Sequence, residues 1–202
     1  MDDPQQRRED VPAALQDDRM IILNGSLRCF ARNGYFNTTF KDIAKETGLS
    51  QQSIGSIFAS KDEILAEYLQ MCDDEIVQQI KEETASDTDV LERIQSICVT
   101  TLIYLGTHSE LTAIWVEFYK HHVARVVLKK FFGLLRTRIS EQIVEGMESG
   151  VIRQANATHI VEAIVELFEG TLILSRLEGT NNEVERRFLA SWEVMVEGLI
   201  QK

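Results

Sequence analysis

Along most of this chain the apolar residues return every three or four positions, the period of an amphipathic helix and not of a strand. Ile22, Leu23, Ser26, Leu27 and Phe30 form the first such stripe. They predict a helix over 19–33, capped by Asp17 or Asp18 and ended by Gly34 in a left-handed conformation. A short apolar-periodic segment follows, Phe40, Ile43 and Ala44, preceded by Thr38 and Thr39 and stopped at Gly48. Ser50 can cap a second short helix that carries Ile54, Ile57 and Phe58 on one side. Ser60-Lys61-Asp62-Glu63 is a capping box, and it opens a long helix over 61–83.

Beyond a polar break at 84–89, a helix is predicted over 90–106 and stops at Gly106. Ser109 can cap a segment with Leu111, Ile114, Trp115, Phe118 and Tyr119. A helix over 123–149 follows, with Val127, Phe131, Leu134, Leu135, Ile139, Ile143 and Met147 as its buried stripe and Gly150 as its stop. The next, over 158–177 and opened by Asn156 or Thr158, is different in kind. It has one stripe of Ile160, Ile164, Leu167, Thr171 and Leu174, and a second of Val161, Val165, Phe168 and Leu172. A last helix over 183–200 carries Phe188, Trp192, Met195 and Leu199. Helices apolar over so much of their circumference must bury two faces. A second copy of the chain is the natural cover, as an isologous bundle of two helices from each protomer. The predicted interface is Ile164, Leu167, Thr171, Leu174, Phe188, Trp192 and Met195. The alternative is a monomer in which these are ordinary core helices.

Composition narrows the picture to an all-α protein. The two prolines, Pro4 and Pro12, leave the remaining chain without helix breakers. Residues 1–18 are polar, charged and proline-containing, and are expected to form a flexible arm. No signal-peptide pattern opens the chain and no apolar run is long enough to span a membrane, so a cytoplasmic location is expected. Cys29, Cys72 and Cys98 lack metal-site spacing and are expected as reduced, buried thiols. The net charge of −11 is unevenly spread: residues 19–65 carry +2, residues 1–18 carry −4 and residues 66–202 carry −9. Phosphate attraction is local, so a mildly basic head on an acidic body keeps nucleic acid at one end.

A helix, a glycine-containing turn and a second short helix over 38–58 form the helix-turn-helix layout, whose second helix enters the DNA major groove. At this point the chain resembles the TetR family of bacterial transcriptional regulators. Ile22-Leu23, Phe30-Ala31, Asn33-Gly34-Tyr35, Thr38-Thr39, Asp42-Ile43-Ala44, Gly48-Leu49-Ser50, Phe58, Ser60-Lys61 and Ile64-Leu65 carry the resemblance, over roughly residues 19–65. It implies three parts: an arm at 1–18, a DNA-binding domain at 19–65, and a ligand-binding and dimerisation domain at 66–202. The sequence departs from the family pattern at Gln52, Ile54, Gly55 and Ile57, where the family usually has Gly, Leu or Phe, Tyr, and His or Tyr.

Candidate DNA contacts are Gln51, Gln52, Ser53 and Ser56 toward the bases, since a glutamine amide can pair bidentately with adenine. Thr39, Lys41, Lys45 and Lys61 are candidates toward phosphate. In the body, Tyr68, Met71, Cys98, Tyr104, Trp115, Phe118, Tyr119 and Phe131 are candidates to line a pocket for a partly apolar small molecule. Glu117 and His121 stand four apart on one helix with His122 adjacent, but no third ligand completes a metal site, and none is expected. Arg125, Lys129, Lys130, Arg136 and Arg138 form a basic run, expected as a solvated face. No catalytic constellation or cofactor motif stands out, and no enzyme is expected. The reading is a homodimeric repressor that binds a palindromic operator in double-stranded DNA, is released by a small molecule, and has no membrane partner. The alternative is a small-molecule sensor or protein-interaction module whose helix-turn-helix no longer binds DNA.

Overall fold

The computed structural model describes residues 13–83, 88–108, 110–111, 114, 117 and 125–200, with side chains from residue 16 in the first segment and residue 129 in the last. Within these residues the chain is all-α, with a lone antiparallel bridge between Ile152 and Ile200. It divides into two compact units, one ending at Cys72 and one beginning at Asp73.

The first unit holds α1 (Ala13–Asn33), α2 (Phe40–Thr47), α3 (Gln51–Ile57) and the first half of α4 (Lys61–Glu83). Helix α1 begins at Ala13 and not at an Asp17 or Asp18 cap, so residues 13–18, expected in the arm, are helical. The reason is local: Ala13, Ala14 and Leu15 are strong helix formers directly after Pro12. Gly34 ends α1 at φ 84°, left-handed as expected. The core of this unit is Ile22, Leu23, Phe30, Ile43, Ile54, Phe58, Ile64 and Leu65, all but inaccessible to solvent. Gly25 sits where α1 meets α2: a Cβ there would collide with the Thr47 side chain.

The second unit continues α4 and adds α5 (Val90–Thr107), α6 (Arg125–Glu148), α7 (Ala157–Glu178), a 3-10 turn (Asn181–Glu183) and α8 (Val184–Glu197). Asp89 caps α5 by accepting from Leu91 N–H, and Asn156 caps α7 by accepting from His159 N–H. Helix α6 packs on α5 and α7, and α8 packs on the other side of the same pair. Ile94, Leu102, Ile139, Ile143, Ile164, Val165, Phe168 and Phe188 form the fully buried centre. Gly146 permits one close approach: a Cβ there would lie 2.6 Å from Ile152 Cδ1. Helix α8 stops at Glu197, short of the expected Ile200, because its tail pairs with the 150s loop. Arg153 N–H donates to Leu199 carbonyl at 2.9 Å, beside the Ile152–Ile200 bridge.

Polar links tie the second half of α4 to its neighbours. Arg138 on α6 donates both guanidinium arms to Asp73, at 2.8 and 2.7 Å, and Asp73 is buried. The Tyr104 hydroxyl donates to Glu75 at 2.6 Å, and the Thr100 hydroxyl to Glu83 at 2.5 Å.

Candidate nucleic-acid interface and helical body

The turn between α2 and α3 is built by caps on both sides. The Thr39 hydroxyl accepts from Asp42 N–H while the Asp42 carboxylate accepts from Thr39 N–H at 2.8 Å, a reciprocal capping box. The Thr39 hydroxyl and amide hold the Asp42 carboxyl below the usual carboxylate range. Gly48, at φ 75°, turns the chain left-handed after α2 and donates its N–H to the Ala44 carbonyl. Ser50 caps α3 by accepting from Ser53 N–H at 3.0 Å. Ile54 and Phe58 are fully buried and fix the rotation of α3 about its axis. At 100° per residue, that rotation turns Gln51, Gln52, Gly55 and Ser56 outward, and all four are exposed.

Two of the expected DNA contacts have other work. The Ser53 hydroxyl is half-buried and engaged with the Ser50 hydroxyl at 2.8 Å, so it supports the cap rather than standing out toward a base. Lys61 is turned inward: its ammonium donates to the carbonyls of Tyr35 at 2.7 Å and Thr38 at 2.6 Å, with the Phe36 carbonyl at 3.4 Å. It also lies 4.9 Å from the centre of the Tyr35 ring. An ammonium has three protons, so these carbonyls occupy it fully and Lys61 orders the turn that presents Thr39. Lys41, Lys45 and Thr39 stand exposed on α2 and its cap.

The remaining described bases of this unit are partnered. Glu46 accepts from Arg28 at 2.8 Å and Arg32 at 3.0 Å, and this pair of guanidiniums holds its carboxyl below the usual range. Arg19 pairs with Glu67 and stacks 4.6 Å over the Phe58 ring. The Tyr35 hydroxyl donates to Asp62, and burial, aided by that carboxylate, pushes the phenol up. These four partnerships link residues far apart in sequence and have no local signature.

The expected pocket residues fall in both units, Tyr68 and Met71 in the first and Cys98, Tyr104 and Phe131 in the second. Trp115, Phe118 and Tyr119, with His121 and His122, lie outside the described residues. Tyr68 is buried and Met71 half-buried on α4. Cys98 is fully enclosed, and burial pushes its thiol up. Tyr104 is buried, hydrogen-bonded to Glu75 and stacked on His108 with ring centres 4.1 Å apart. Phe131 is half-buried beside Phe132, and it is Phe132 that reaches the core, edge-on to Phe168. A cleft of about 650 Å³ runs between α6 and α7, lined by Arg136, Ser140, Val144, Glu148, Val161 and Glu162 among others, and by none of the aromatic candidates. The basic run is partly neutralised: Arg136 pairs with Glu162 and Arg138 with Asp73, while Lys129 and Lys130 are exposed.

The expected interface residues divide by helical phase. Ile164, Thr171, Phe188 and Trp192 point into the protomer's own interior and are buried there, so they are not available to a second chain. Leu167, Leu174 and Met195 retain exposure. With them stand residues the sequence reading did not select: Ala163, Gly170 and Leu177 on α7, and Ala190, Ser191 and Val194 on α8. Leu177 and Val194 are 73% and 74% exposed.

Comparison with known proteins agrees with this geometry. Residues 22–68, from α1 through the start of α4, match the family model described as bacterial regulatory proteins, tetR family. A curated relative, the HTH-type transcriptional regulator BetI of Brucella canis, is 21% identical over 155 residues, covering 77% of this chain and 78% of its own. A Syntrophomonas wolfei structure described as a TetR-family transcriptional regulator superposes with a TM-score of 0.81 at 23% identity, over 92% of this chain and 97% of its own. A transcriptional regulator from Saccharomonospora viridis, solved in complex with choline, gives a TM-score of 0.73 at 22% identity, over 93% of this chain and all of its own. The capped helix-turn-helix with its outward polar face lies within residues 22–68, the segment that matches the tetR family model.

Proposed function

We propose that the protein is a cytoplasmic homodimeric repressor, without enzymatic activity, that binds a palindromic operator and leaves it when a partly apolar small molecule occupies the helical body. The observation that carries the reading is the outward face of α3: Gln51, Gln52 and Ser56 exposed on a helix locked in place by Ile54 and Phe58. Such a helix presents hydrogen-bonding side chains to base edges in the major groove. The exposed Lys41, Lys45 and Thr39 supply phosphate contacts. A single head of net charge +2 binds weakly, so two heads on one duplex are needed.

The second chain is supported by the apolar face of α7 and α8. Leu167, Gly170, Leu174 and Leu177 continue along one side of α7 at helical spacing, and Ala190 and Val194 along one side of α8. Ligand release is supported by the choline-bound relative, which shares the fold. A ligand that favours one shape of the body shifts the equilibrium by its differential affinity and no more. Among the described residues, no helix is long and apolar enough to cross a membrane.

Affinity selection from random duplexes at low salt tests the reading. Enrichment of an inverted repeat with half-sites about 10 base pairs apart, or a multiple of that, is expected. Failure to enrich any duplex at low salt would favour the alternative, a sensor whose head no longer binds DNA.

A further inference from the structure

Gly55 lies at the centre of the exposed face of α3, between Gln51 and Gln52 on one helical turn and beside Ser56. A glycine inside a helix weakens it and calls for a cause. Backbone conformation does not supply one, because the left-handed glycines of the described residues are Gly34, Gly48, Gly150 and Gly179. Packing does not either: a Cβ at Gly55 would meet no atom within 4 Å, whereas at Gly25 or Gly146 it would collide. Nor does Gly55 end the helix, since α3 continues to Ile57 and closes with Phe58 N–H donating to the Ile54 carbonyl. Among the described residues nothing requires the missing side chain, so its use lies in what approaches this face.

We propose that Gly55 is a specificity-determining position that reads an A·T pair by leaving room for it. This rests on the DNA-binding reading above. With no Cβ, the backbone of α3 can lie close against the major-groove base edges. The C5-methyl of thymine is the apolar group that projects there, and it fills the space above Gly55. Gln51 and Gln52, on either side, suit the donor and acceptor edge of adenine. Helix α3 carries no Arg or Lys, the residues that pair bidentately with guanine O6 and N7, so the strongest guanine readers are absent from this face. The three features converge on an A·T-centred half-site.

The test compares wild type with Gly55→Ala on the duplex that wild type selects. A methyl added to an open, exposed helix position firms the helix, so Gly55→Ala unfolds at a higher temperature. If the position serves packing or nothing at all, DNA affinity rises or stays level with that stability. The proposal expects the opposite sign: affinity for the selected duplex falls by about tenfold or more, the scale of one lost base-pair contact. A duplex with deoxyuridine replacing the central thymine, which removes only the methyl, should bind wild type several-fold more weakly, and Gly55→Ala should discriminate less between the two. Equal or tighter binding by Gly55→Ala, or a half-site with G·C under α3, overturns the inference and leaves the DNA-binding reading standing. If wild type selects no duplex, that reading fails and takes this inference with it.

Discussion

Single residues decide which of the head's charges are available for DNA. The sequence offers six bases over residues 19–65, but the structure commits Arg19, Arg28 and Arg32 to carboxylates and Lys61 to backbone carbonyls. None of this is visible locally, because the Lys61 acceptors lie 23 to 26 residues earlier in the chain. Glycine signals are visible locally: Gly34 is left-handed as expected, and Gly48, expected only as the stop of a short helix, is left-handed too. Lys61→Met keeps the aliphatic stem and removes the ammonium. It should lower the unfolding free energy by about 1–3 kcal/mol, the worth of hydrogen bonds to a charged group. It should also weaken operator binding while leaving the slope of log affinity against log salt unchanged. A lysine touching phosphate behaves otherwise: its loss makes that slope shallower by about one for each contact removed. An unchanged melting temperature with a shallower slope would return Lys61 to a phosphate role.

At the scale of elements, what the sequence states clearly is where short helices begin and end. Ser50 caps α3 as expected, Thr39 of the Thr38-Thr39 pair caps α2, and Asn156, one of two candidates with Thr158, caps α7. Phase around a helix is harder to read. Apolar side chains cover so much of α7 that periodicity cannot separate the side facing α5, α6 and α8 from the side facing out. Ile164 and Thr171 therefore looked equivalent to Leu167 and Leu174, and only packing distinguishes them. The same limit hid Phe132, adjacent to the chosen Phe131 but turned into the core. The buried link between α4 and α6 was equally unreadable, since Asp73 and Arg138 are 65 residues apart. Asp73→Asn leaves the Arg138 guanidinium largely enclosed without its counter-charge. The expected cost is about 3 kcal/mol in urea unfolding, with most of it recovered in Asp73→Leu combined with Arg138→Met. If the single change costs under about 0.5 kcal/mol, within the range of an ordinary surface substitution, the pair does not hold the second half of α4 in place.

At the scale of the whole molecule, the account turns on two chains acting together. An acidic chain of net charge −11 with a head of +2 is a poor partner for DNA alone, and the doubling of that head makes operator recognition physically reasonable. The proposed means is the outward aliphatic face of α7 and α8, where Leu177 and Val194 stand exposed. The most direct test is the mass of the protein–DNA complex, measured by sedimentation on the duplex that wild type selects. The account predicts two chains per duplex. It also predicts that Val194→Glu with Leu177→Glu, changes on the protomer's surface, gives a folded monomer of unaltered helix content that no longer holds that duplex. A complex with one chain per duplex, or a doubly substituted protein that still sediments as a dimer, would contradict it.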